Sequence, residues 1–455
     1  MSETRLPEFW KTYVGLVAAA AFVAYIFLVE NKREPAGDDE PKEKVFAADP
    51  AKVREVTIAR TDGETLRVAR EGAQWRLEEP LQAAADTAAV ESLIQSLEGA
   101  QIQDEVSKDG TSLAGFGLDK PRLRVSLARE GGSPTVLLIG NKLVDGTGVY
   151  AKTEARPRVF TLASFLEASL DKKAFDLRDR DVLKVKRDAV ASLQVEGPEG
   201  AYTLARDAKG EWAFTKPVAT KAGRWAVDGL LGSLENLRMD AVATEDAKDL
   251  KPYGLDKPAR RVTLGLVDGA TRTLEIGKET AEKKYPVRVE GQPLVALVPA
   301  TLSEDLAKGM ANLRAKRLLE VATYDVAGFD ATEGGATKTF EKTTTKDKDG
   351  LESSKWKRTA PDAKDLETSK VEDALFKIGG VEAQEFVDAP KADAEYGLDA
   401  PVFRLSLRMA EGKPGSEIAI GRRGDLAYAR RSGDAAVLKV EKAKADELIE
   451  AFKGL

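Results

Sequence analysis

Phe116-Gly117-Leu118-Asp119-Lys120-Pro121 returns as Tyr253-Gly254-Leu255-Asp256-Lys257-Pro258 and again as Tyr396-Gly397-Leu398-Asp399-Ala400-Pro401. The first two copies stand 137 residues apart and the second two 143. Working outward, other landmarks hold the same spacing. Trp75 recurs as Trp212 and Trp356, and each is followed five residues later by a proline (Pro80, Pro217, Pro361). Ile139-Gly140 recurs as Ile276-Gly277 and Ile420-Gly421. Several marks sharing one long period mean that a domain-sized unit has been copied three times.

The unit reads as α+β. Short alternating runs at Val56–Ala59, Leu66–Ala69 and Trp75–Leu77 predict antiparallel strands, with Asp62-Gly63 as a hairpin turn. Val90, Leu93, Ile94 and Leu97 then fall on one helical stripe, which returns as Val227, Leu230, Leu231, Leu234 and as Val371, Ala374, Leu375, Ile378. After the glycine turn, Leu123, Val125 and Leu127 alternate with polar residues, as do Val262, Leu264, Leu266 and Phe403, Leu405, Leu407. That alternation predicts a strand with one buried and one wet face. Three more strands follow (Val136–Ile139, Val149–Lys152, Val159–Leu162 in the first copy). A short amphipathic helix closes each copy, at Phe165–Leu170, Leu302–Leu306 and Leu448–Phe452. The expectation is a meandering antiparallel sheet with two covering helices, built as modules 49–176, 177–312 and 313–455. Short connectors near Asp176–Leu183 and Leu313–Leu319 predict modules that stack rather than swing. The third copy carries an enlarged polar hairpin around Thr343–Ser354.

Composition removes several chemistries. Among 455 residues there is no histidine and no cysteine, so the usual zinc, haem and iron–sulfur ligands are missing, as are Ser-His-Asp and Cys-His nucleophiles. No cofactor, metal or catalytic residue is expected. The formal charge of −6 comes from 70 basic and 76 acidic residues, interspersed throughout, which gives no basic footprint for nucleic acid.

The N-terminus predicts a membrane anchor. Thr12–Val29 is an uncharged run of 18 residues, close to the length that spans a bilayer, with Trp10 and Tyr13 at one end. A cleaved signal peptide is the rival, but apolar residues continue past Ala24 through Tyr25-Ile26-Phe27-Leu28-Val29. Residues 1–11 then form a cytoplasmic tail and 30–48 a charged juxtamembrane linker. Positive charges on the two sides nearly balance, so orientation rests on the short tail and the large soluble body. That arrangement favours a body outside the cytoplasm.

The glycine turn is the strongest motif, and its residues serve folding more readily than binding. Gly117, Gly254 and Gly397 can take positive φ. Asp119, Asp256 and Asp399 can bond nearby amides, and Pro121, Pro258 and Pro401 start the next strand. Phe116, Tyr253 or Tyr396 can plug the core beside Leu118, Leu255 or Leu398. Trp75, Trp212 and Trp356 read as core anchors before sugar-stacking platforms. Thr345–Gly350 resembles a calcium loop, but Trp356 occupies the twelfth position where a bidentate Glu belongs. Asp176, Asp179 and Asp181 alternate with Arg178 and Arg180, the pattern of a salt-bridged linker.

With these motifs in hand, the chain resembles a bacterial domain-of-unknown-function family marked by repeated aromatic-Gly-Leu-Asp-x-Pro segments. Leu177-Arg178 and Leu313-Arg314 share in the resemblance. Members have one N-terminal membrane span, and their genes tend to lie beside gliding-motility-type ABC transporter genes. The resemblance implies an inner-membrane, single-pass accessory or scaffold subunit. Its partner would be an ABC transporter permease or an envelope protein, and it would perform no catalysis. It supplies no catalytic residues. Two alternatives stay open: an envelope glycan- or lipid-binding module, and a hydrolase using two carboxyl groups about 5–9 Å apart.

Overall fold

The computed structural model describes residues 43–46, 50–61, 63–208, 210–319, 322–346, 352–410 and 415–455. The expected anchor at 12–29, the tail before it, most of the linker, Asp62 and the calcium-like residues 347–350 lie outside them. Among the described residues, no helix is long and apolar enough to cross a membrane. They form three nine-stranded sheets with one strand order.

In the first module the elements are β1 (Val53–Arg60), β2 (Thr65–Glu71), β3 (Gln74–Glu79), β4 (Ala83–Ala84), α1 (Thr87–Glu98), β5 (Glu105–Ser107), β6 (Leu123–Arg129), β7 (Thr135–Lys142), β8 (Gly148–Thr153), β9 (Val159–Ala163), α2 (Ser164–Leu170) and α3 (Ala174–Leu177). The order across the sheet is β4-β3-β2-β1-β6-β7-β8-β9-β5, all pairs antiparallel. The sheet is therefore not one meander, as the sequence suggested, but two. The chain runs outward from β1 to the β4 edge, then crosses through α1 to β5 at the opposite edge. The glycine turn brings it back to the centre as β6, beside β1. β4 and β5 are too short for their alternation to show in the sequence.

The helix stripe works as expected. Val90, Leu93, Ile94 and Leu97 are buried, and Asp86 caps the helix by accepting from the Ala89 N–H at 3.2 Å. The corresponding stripes on Arg224–Glu235 and Thr368–Ile378 are buried at all four positions. The inward side chains of β1, β6 and β7 meet this stripe in one core with Trp75. The strands Ala336–Lys346 and Glu352–Ala360 form the long hairpin of the third module.

Two boundaries move. Glu43–Phe46, expected to be linker, joins the first module: Phe46 is buried in its core and the Val45 N–H donates to Ala100 O at 2.9 Å. Leu177, expected to open the second module, is buried in the first core. The reason is a shared pattern of isolated bridges. Lys44, Asp181 and Arg317 pair with Gln101, Arg238 and Glu382, just after each long helix. Arg178 and Arg314 pair with Ala85 and Ala222, just before the helices of their own modules.

The chain divides into two compact units at Asp179/Arg180, the second holding modules two and three. Within that second unit Arg314 joins the modules, and Arg431 anchors a buried cluster inside module three. Arg314 donates to Asp388 at 2.6 Å and to Thr220 at 3.2 Å, with its guanidinium 3.8 Å from the Phe386 ring centre. Arg431 and Asp434 form a fully buried pair at 2.7 Å, and Arg431 also donates to the Arg317 carbonyl at 2.6 Å. Such a pair resists losing one member more than it adds net stability.

Candidate functional site

The repeated turn has the same anatomy three times. A short 3-10 turn ends at Phe116, Tyr253 or Tyr396, and the following glycine has φ of +67°, +65° or +66°. The leucine after it is buried in each copy, the aspartate exposed and the proline half-buried. The aspartates do not build the expected side-chain turn; they point into solvent. The rings do not plug the main core either. Tyr396 packs on Tyr428 (centroids 5.1 Å apart) in a small cluster with Leu398, Ala419 and Val437. By strand alternation that cluster lies on the face opposite Ile418 and Ile420, which belong to the main core. Phe116 meets Tyr150 in the same way, at 4.9 Å.

This placement explains the Ile-Gly landmark. A Cβ on Gly140 would lie 2.1 Å from the Phe116 carbonyl oxygen, on Gly277 2.2 Å from that of Tyr253, and on Gly421 2.4 Å from that of Tyr396. Two motifs far apart in sequence are thus two sides of one backbone contact that admits no side chain. Trp75, Trp212 and Trp356 are core residues, 1%, 7% and 1% exposed.

The clefts differ in what they offer. In the first module Glu167 and Asp171 line a small one with Arg60 and Arg122. Burial pushes the Glu167 carboxyl up, but Arg122 and Lys142 outweigh it and hold it below its ordinary value. A glycosidase acid needs the opposite shift. A polar cleft beside the third turn has its charges matched: Asp393 with Arg430 at 2.7 Å, Glu417 with Arg404, and Arg431 with Asp434. Among the described residues no three Asp or Glu side chains gather as a metal cage.

Two further clefts flank Trp225. One, of about 510 Å³, is lined by Leu319, Val326, Leu375, Ile378 and Leu407, with Trp225 and Phe376 among its walls. The other, of about 580 Å³, is lined by Arg187, Arg206, Arg224, Asp188, Asp228 and Trp225. Both volumes fall in the range of small-molecule sites. Trp225, Phe376 and nearby Tyr324 are 80%, 79% and 76% exposed. Sequence reading passed over them, yet a signal was present. At Trp225 the other copies have Ala88 and Ser369; at Phe376 they have Gln95 and Gly232; at Tyr324 they have Ala51 and Asp188. These aromatics depart from the repeat, and the attention given to repeated residues hid them.

Fold and surface together define a tandem array of three α+β modules whose shared residues build the modules themselves. A family model described as Domain of unknown function (DUF4340) matches residues 75–222, 212–401 and 356–455, and the chain belongs to that family. Each match begins at one of the repeated tryptophans. No curated protein and no solved structure matches the chain.

Proposed function

We propose that this protein is a membrane-anchored, extracytoplasmic accessory or scaffold subunit, working beside a gliding-motility-type ABC transporter and without catalysis of its own. The observation that carries the reading is a division of labour. Residues kept in all three copies serve the turn, the cores and the strand contacts. The large exposed aromatics Trp225, Tyr324 and Phe376, like Phe165 in the first module, stand outside that shared set and suit contact with a partner. The uncharged run at 12–29 and the resemblance to anchored, transporter-linked proteins supply the setting. Arg314, bonded to Thr220 on one side and Asp388 on the other, ties modules two and three together, so a partner meets a preformed surface. Affinity purification of the full chain from solubilised membranes tests the proposal: a permease should accompany it. Recovery of this chain alone under mild conditions contradicts it.

A second reading, an envelope lipid- or glycan-binding module, draws on the groove beside Trp225 and Phe376.

A further inference from the structure

The two clefts at Trp225 have opposite chemistry and share that residue as a wall. On one side Leu319, Val326, Leu375, Ile378 and Leu407 floor a mainly apolar trough whose charges, Arg317 and Glu382, pair with each other at 3.4 Å. On the other side stand three arginines and two aspartates. Arg187 lies 3.8 Å from Glu235, which it shares with Lys186, and Arg224 lies 3.9 Å from Asp228. Arg206 differs. It is exposed and donates to the Gly210 carbonyl at 3.3 Å. Among the described residues no carboxylate comes within ion-pair distance of it.

The module-two basin and the module-three trough draw on matching positions. Arg187, Leu231 and Gly232 line the basin where Thr323, Leu375 and Phe376 line the trough.

We infer that the Trp225 clefts form a single site for an anionic amphiphile, with one acyl chain in the module-three trough and a phosphate-type head group on the arginine side, chiefly at Arg206. Burying the chain supplies most of the affinity, about 0.8 kcal/mol for each methylene removed from water. The charge-assisted hydrogen bond from Arg206 selects the head group. This inference rests on the second reading above. Failure of the permease to co-purify leaves it intact, and its own failure leaves the scaffold reading intact.

The test uses the full chain held in amphipol and titrated with 11-bromoundecyl phosphate, whose bromine quenches tryptophan fluorescence on contact. Subtracting a Trp225→Phe variant isolates Trp225 from the buried tryptophans and from Trp10. The expected result is saturable quenching of the Trp225 component, a half-saturation raised about tenfold by Arg206→Gln, and weaker quenching in Phe376→Ala. The trimethylammonium-headed probe should not saturate, and inorganic phosphate should not displace the bromo chain. Equal quenching by both head groups overturns the inference and turns the groove over to an apolar partner segment. Insensitivity to Arg206→Gln, or full displacement by inorganic phosphate, overturns it as well.

Discussion

The turn at Gly117 and the clefts at Trp225 follow opposite rules. The turn is nearly identical in three places and buries its leucine each time. Its backbone presses on a glycine in a neighbouring strand at a distance no other residue tolerates. The clefts rest on repeated apolar positions, but their aromatic walls, Trp225 and Phe376, stand in solvent where the copies disagree. In a chain made by copying, agreement between copies marks what the fold requires. Disagreement at an exposed aromatic marks what one copy has acquired for itself.

Substitutions can break or sharpen that contrast. The largest effect belongs to the repeated tryptophans. Trp75→Ala or Trp356→Ala should destabilise its module by about 3–5 kcal/mol, read by urea denaturation of the full chain. Next come the strand glycines. Gly140→Ala, Gly277→Ala and Gly421→Ala each drive a Cβ into a backbone carbonyl and should cost about 1–3 kcal/mol, with the main shift in denaturation midpoint rather than slope.

The turn glycines come below these and differ among themselves. Gly254→Ala meets nothing closer than 3.5 Å, so only the left-handed conformation opposes it, at about 1–2 kcal/mol. Gly397→Ala should cost more, because its Cβ would lie 2.3 Å from the Arg422 carbonyl oxygen. Equal losses at the two sites would refute this account of the turn.

The smallest effect is electrostatic. Glu167 has a folded-state pKa below its unfolded value near 4.5. Its stabilising contribution is therefore complete above that pH and is lost as pH falls through the folded value. Thermal unfolding from pH 6 down to pH 3 should show a shallower acid decline in Glu167→Gln than in the parent chain.

The sequence carried the repeat register, the helix stripes and the alternating β6 strand, because each is a local pattern that burial repeats three times. It did not carry the strand order. β4 and β5 are two and three residues long, and neither their alternation nor their edge positions leave a mark. Nor did it place the turn on the second face of the sheet, since Leu398 and Ile420 look equally apolar although they belong to different clusters. The partnership of Gly117 with Gly140 was visible as two landmarks and not as one contact, because backbone proximity across 23 residues has no local signature. The apolar cleft sets Trp225 of module two against module-three residues and exists only when those modules are packed, while the charged one lies within module two.

The most direct test is the thermal unfolding of a Trp225→Ala, Tyr324→Ala, Phe376→Ala triple variant beside Trp75→Ala. If repeated residues hold the fold and repeat-breaking aromatics serve contact, the triple variant loses less than about 1 kcal/mol, a shift of about 2–4 °C at most, while Trp75→Ala falls much further. A triple variant that melts as low as Trp75→Ala would contradict the account.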